Sequence, residues 1–132
     1  MTWNRNDTSR ALNQVAAERG RQEGLKEEGK FEYGPADPEL SDADFLAVLA
    51  EEVGEANHEY NETIGRPAKR DINYLSRFRE ELVQVAAVAV GRVELLNRLI
   101  AMEVQESARW RPEPTAADYS VTPGNIIVGT TD

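Results

Sequence analysis

Two short acidic runs, Glu51-Glu52-Val53-Gly54-Glu55 and Glu80-Glu81-Leu82-Val83-Gln84, hold the side chains best placed to do chemistry. Residues three apart share a helix face, so Glu52 pairs with Glu55 and Glu81 with Gln84. Both runs lie inside apolar helical stretches. A carboxylate there carries a desolvation penalty unless something positive meets it, and a divalent cation can meet several at once. Two blander fates stay open: a solvated acidic face, or internal ion pairs. For the second, Arg77 lies one turn before Glu81, and Arg92 shares its direction further along.

The elements that must position these residues are helices. Asp7 or Thr8 is the expected N-cap of a first helix running to about Lys26, with Leu12, Val15, Ala16 and Arg19 facing inward. Gly29 to Pro38 reads as a linker broken by Gly34-Pro35 and Asp37-Pro38. Ser41 and Asp44 resemble a capping box that opens a second helix, and Gly65 before Pro67 closes it. A third helix is expected from near Arg70 to about Ala108, either bent at Gly91 or broken near Asn97. From residue 109 onward, prolines and glycines predict a non-helical C-terminal tail whose one strand-like piece is Asn125 to Val128.

At about 100° per residue, the second helix gathers Phe45, Val48, Leu49, Val53, Ala56, Tyr60 and Ile64 into one apolar sector. Glu52 and Glu59 project within it, and Glu55 lies on its border. On the third helix Phe78, Leu82, Val85, Ala86, Ala89, Val93, Leu96 and Ile100 mark the expected core direction. Glu81 falls inside that arc and Gln84 at its edge. Consecutive helices joined by a short turn lie antiparallel, so three carboxylates and one amide oxygen are expected to converge.

The 132 residues suit one domain of modest core, and the net charge of -9 with scattered basic residues argues against a nucleic-acid partner. The lack of cysteine excludes disulfides and thiol chemistry and fits the cytoplasm. Neither a leader nor a membrane-length apolar run is seen, so no membrane partner is expected. Val88, Leu95 and Leu99 fall outside the expected core direction, which predicts a homodimer or higher oligomer.

At the two acidic runs the chain resembles the MazG-like all-α nucleoside triphosphate pyrophosphohydrolases. That family carries EExxE on one helix and EExxD on the next; here they read EEVGE (51–55) and EELVQ (80–84). The likeness extends more weakly to Glu18-Arg19-Gly20-Arg21-Gln22 and Lys30-Phe31, and covers roughly residues 10–105. It implies a MazG-like antiparallel bundle over residues 1–108, completed by dimerisation. It also implies Mg2+, or Mn2+ in its place, held by Glu52, Glu55, Glu81 and, as a weak fourth ligand, Gln84. Gln84 stands where the family has Asp, which removes one negative charge from the metal site.

The implied reaction is water attack on phosphorus, releasing pyrophosphate and a nucleoside monophosphate from an NTP, a dNTP or a related nucleotide. Glu55 is the candidate for orienting or deprotonating the water. Arg77 and Arg92 are candidate phosphate contacts, although ion pairs with Glu81 or Glu94 are the commoner fate of such residues. Gln22 and Phe31, with Tyr33, are candidates for holding the base. His58 points away from the apolar sector and reads as a surface residue. Two other readings remain: a nucleotide- or metal-binding regulatory module weakened at Gln84, and a purely structural helical oligomerisation unit.

Overall fold

The computed structural model describes residues 2–64, 71–110 and 112–114. Those residues form three α-helices and no strand: α1 is Arg5–Glu27, α2 is Asp42–Ile64 and α3 is Ile72–Arg109. None of the described helices is long and apolar enough to cross a membrane. The chain divides into two compact units at Leu99 and Ile100. The second unit holds the last turns of α3, where Ile100, Met102, Val104 and Trp110 are exposed. Asn125 to Val128 lies outside the described residues. Everything below concerns the first unit.

The start of α1 departs from expectation. Asn4 is its N-cap, with the side-chain oxygen accepting from Asn6 N–H at 2.8 Å. Thr8 is already helical and takes the indole N–H of Trp3 on its hydroxyl at 3.1 Å. At the other end Lys30 N–H bonds Leu25 C=O and Gly29 N–H bonds Lys26 C=O, a Schellman closure. It needs the left-handed φ of +78° that Gly29 adopts. Only Arg19 of α1 is buried; Leu12 and Ala16 are exposed and Val15 is half-buried, so the expected inward stripe is only partly covered.

Ser41 caps α2 as its spacing predicts, taking Asp44 N–H on its hydroxyl at 3.1 Å. Asp71 does the same for α3, accepting from Tyr74 N–H at 2.8 Å. From there α3 runs unbroken through Gly91 and Asn97. Gly91 has another task. A Cβ there would come within 2.6 Å of Pro35, so its bare backbone is the seat on which the α1–α2 segment rests.

That segment is tied down as well as seated. Arg92 donates to Leu40 C=O and Arg98 to Ala36 C=O, each at 3.0 Å. Asp37 gathers the Lys26 ammonium and the Gly34 N–H. The stretch read as a linker is therefore a packed wedge on α3.

The helices α2 and α3 are antiparallel: Arg77 pairs with Glu59 at 3.1 Å at one end, and Arg92 approaches Asp42 at 3.6 Å at the other. Between these points the inward line of α2 is Phe45, Leu49, Glu52, Ala56 and Glu59. Tyr74, Phe78, Glu81, Val85, Val88, Arg92 and Leu95 form the matching line of α3. Both alternate steps of four and three, the spacing of an interhelical seam.

This seam on α3 lies next to the core direction expected from the sequence. Val88 and Leu95, expected outside, are 4 % exposed, whereas Val93 and Leu96, expected inside, are 53 % and 42 % exposed. On α2 likewise, Val53 and Tyr60 are exposed. The arc of apolar residues on α3 is wider than one seam, and contacts with Arg19 and Pro35 choose which edge of it is covered.

Candidate metal centre and the cavities beside it

Glu52 and Glu81 occupy seam positions, so packing of α2 on α3 turns them toward each other. Glu55, one turn after Glu52, reaches the same point from the solvent side. One carboxylate oxygen from each of the three lies within 4.8 Å of the others. A hard cation with oxygen bonds of about 2.0–2.6 Å spans such a cluster after small side-chain adjustments.

The donors also have the chemistry such an ion requires. Glu52 Oε2 and Glu81 Oε2 are buried and accept from no described residue. No ion pair reaches Glu52, Glu55 or Glu81 among the described residues. Burial pushes the Glu52 carboxyl above the usual range, helped by the charges of Glu55, Glu18 and Glu51 and opposed by Arg21. Burial raises Glu81 too, followed by the nearby charges of Glu55, Glu52 and Glu59. Three crowded carboxylates with unused lone pairs fit a divalent cation.

Two cavities flank the cluster. On one side an open groove of about 450 Å³ is lined by Glu51, Gly54, Glu55, His58, Glu59 and Glu81. On the other a more enclosed cavity of about 290 Å³ lies among α1, the wedge, α2 and α3. Gln22, Phe31, Glu52 and Gln84 all line the second cavity. Its remaining wall includes Glu18, Arg21, Tyr33, Pro35, Val48 and Val88. Gln84 thus stands in the wall of this cavity, alongside Glu52.

The two arginines expected at phosphate are engaged elsewhere. Arg92 is buried, its guanidinium 4.6 Å from the centre of the Phe45 ring and bonded to Leu40 C=O. It lines neither cavity, and the side chain acts as a strut between α3 and the start of α2. Arg77 donates to Glu59 rather than Glu81, and lines neither cavity. Glu94 takes a two-pronged pair from Arg19, at 2.9 and 3.2 Å. His58 is exposed, 3.9 Å from Glu62.

Among the described residues a cation that does stand by the site is Arg21, which lies in the Glu18–Gln22 run but was given no role from the sequence. It is held on Glu18 by two bonds of 2.7 and 2.6 Å and feels the charges of Glu80 and Glu52. The available sequence signal was the Glu18/Arg21/Gln22 spacing, which puts all three on one face of α1.

No family model matches this chain, and no curated protein or solved structure matches it either.

Proposed function

We propose that the protein is a metal-dependent nucleotide pyrophosphohydrolase, cleaving a nucleoside triphosphate, a dNTP or a related nucleotide to the monophosphate and pyrophosphate. The observation that carries this is the convergence of Glu52, Glu55 and Glu81, with buried lone pairs and no ion pair among the described residues, beside a cavity that includes aromatic and aliphatic side chains. The resemblance of EEVGE and EELVQ to the MazG-like motifs supports the same reading, and with it a MazG-like bundle.

Mg2+, or Mn2+ in its place, belongs on Glu52, Glu55 and Glu81; when bound it neutralises phosphate charge and acidifies a coordinated water. The residues do the rest. Phe31 and Tyr33 cover the base, Arg21 lies within reach of the phosphate chain, and Glu55 accepts the proton of the attacking water. No nucleophilic side chain is needed, in keeping with a chain that has no cysteine. The cytoplasm, with its free Mg2+ and nucleotides, is the compartment this chemistry suits.

The reading includes a second copy of the chain. Leu75, Leu82, Val93 and Leu96 on α3 and Leu46, Val53 and Tyr60 on α2 are exposed. Each set lies one residue beyond its inner seam, and in an antiparallel pair that rotation brings both to the same side. Two such faces pair into a four-helix bundle, burying the apolar surface that a small three-helix core leaves bare.

The experiment is a panel of nucleoside triphosphates incubated with Mg2+ or Mn2+, with pyrophosphate and orthophosphate measured separately. Metal-dependent pyrophosphate release is expected. Orthophosphate as the direct product rules out this chemistry, and metal and nucleotide binding without turnover turns the reading to a regulatory module.

A further inference from the structure

The enclosed cavity has a polar pattern that cleavage of the triphosphate does not use. Its apolar walls, Phe31, Tyr33, Pro35, Val48 and Val88, suit a flat ring. Its polar wall holds Glu18, Gln22, Glu51, Glu52 and Gln84, with Arg21 turned onto Glu18. Glu18 receives two bonds from Arg21 and a longer one, 3.4 Å, from the amide nitrogen of Gln22.

That last contact orients Gln22. A carboxylate only accepts, so the Gln22 amide must turn its nitrogen to Glu18. The Gln22 carbonyl oxygen is left buried, with no donor from any described residue. Gln22 is also half-buried and lines the cavity. An acceptor in such a place needs an N–H, and the surrounding wall offers few: the Nε and Nη2 of Arg21 are already on Glu18.

Nucleobases differ in just this respect. Adenine and cytosine carry an exocyclic amine on the edge away from the sugar, whereas hypoxanthine, uracil and thymine carry a carbonyl there. An amine brings N–H donors to Gln22 Oε1 and the Glu18 carboxylate. A carbonyl sets acceptor against acceptor and leaves only the single ring N–H beside it to donate.

We propose that this cavity selects nucleotides whose base presents an exocyclic amine opposite the sugar, a 6-aminopurine or a 4-aminopyrimidine, through Gln22 Oε1 and Glu18. The proposal rests on the pyrophosphohydrolase reading for the position of the phosphates. Base choice itself is a property of binding and can be tested without turnover.

Matched pairs make the test, because ATP and ITP, or CTP and UTP, differ at the amine and the adjacent ring nitrogen. In Mg2+, kcat/KM for the amino member of at least one pair is expected to exceed its oxo partner about tenfold or more, the scale of losing one paired polar group. Calorimetry with AMP against IMP and CMP against UMP should follow the same order. In Gln22→Leu the ratio should fall to within about threefold; being internal to one preparation, it does not depend on how much of the variant folds.

Equal use of both members, or preference for the oxo bases, overturns the inference while leaving the pyrophosphohydrolase reading standing. Amino-selective binding with no hydrolysis of any nucleotide upholds the inference and removes that reading. A ratio that survives Gln22→Leu unchanged overturns the assignment to this wall.

Discussion

Glu52 of α2 and Glu81 of α3 face each other from interhelical seam positions, each with one carboxylate oxygen buried and accepting from no described residue. Positions of this kind normally hold aliphatic residues. The packing that would otherwise be strengthened by two leucines is instead loaded with two negative charges. On the proposed reading, a bound cation offsets that loss.

Replacing Glu52 or Glu81 by Gln keeps size and helix propensity and removes one of those charges. Pyrophosphate release should fall by about a hundredfold or more in each variant, the usual scale for a major electrostatic contributor. The metal-free variants should melt no lower than the parent at neutral pH, as followed by circular dichroism. Full activity in both variants would move the metal site elsewhere.

The metal-free protein should become more stable on mild acidification. Glu52 and Glu81 both ionise above the ordinary glutamate value of 4.5, so each binds a proton more readily in the fold than in the unfolded chain. Such groups contribute stability that is whole below the unfolded value and lost as pH rises through the folded one. The window therefore opens at about 4.5 and extends upward. Mg2+ should reverse the slope, raising the melting temperature more at neutral pH than near pH 5, because protons compete for the same oxygens. Melting curves with Mg2+ and with a chelator, across that range, check both signs.

Gly91→Ala should disturb the site from a distance. The added methyl lands 2.6 Å from Pro35, so the wedge that carries Phe31 and Tyr33 must lift off α3. Over-packing of this kind costs about 1–3 kcal/mol. Since the three carboxylates do not ride on the wedge, KM for nucleotide should rise more than kcat falls. A kcat loss with unchanged KM would mean that the wedge does not hold substrate.

Leu82→Glu combined with Val93→Glu should leave a monomer. Both side chains are about half exposed on the outer face and make no part of the inner seam. Light scattering is expected to give twice the chain mass for the parent and the single mass for the variant. A monomeric parent at micromolar concentration removes the dimer from the reading.

Much of this was legible in the residues alone. Three helices, the Ser41 cap and the inward direction of Glu52 and Glu81 follow from short-range rules: a hydroxyl reaches an N–H three residues on, and side chains recur every 3.6 residues. The gathering of Gln22 and Phe31 with the acidic motifs was reachable only through a resemblance, since they sit on separate elements.

What the tertiary structure alone decided is which of two adjacent apolar lines on α3 is covered. Val88–Leu95 and Val93–Leu96 belong to neighbouring lines about 100° apart, and periodicity weighs both alike. The choice is made by partners distant in sequence: Pro35 seated on Gly91, and Arg19 reaching Glu94 seventy-five residues away. The same contacts turn Arg92 into a strut under the wedge, while Arg21 stands beside the acidic cluster. Local sequence determines which faces are sticky; which sticky face is buried is a property of the whole packing, because burial is settled by everything that competes for the same surface.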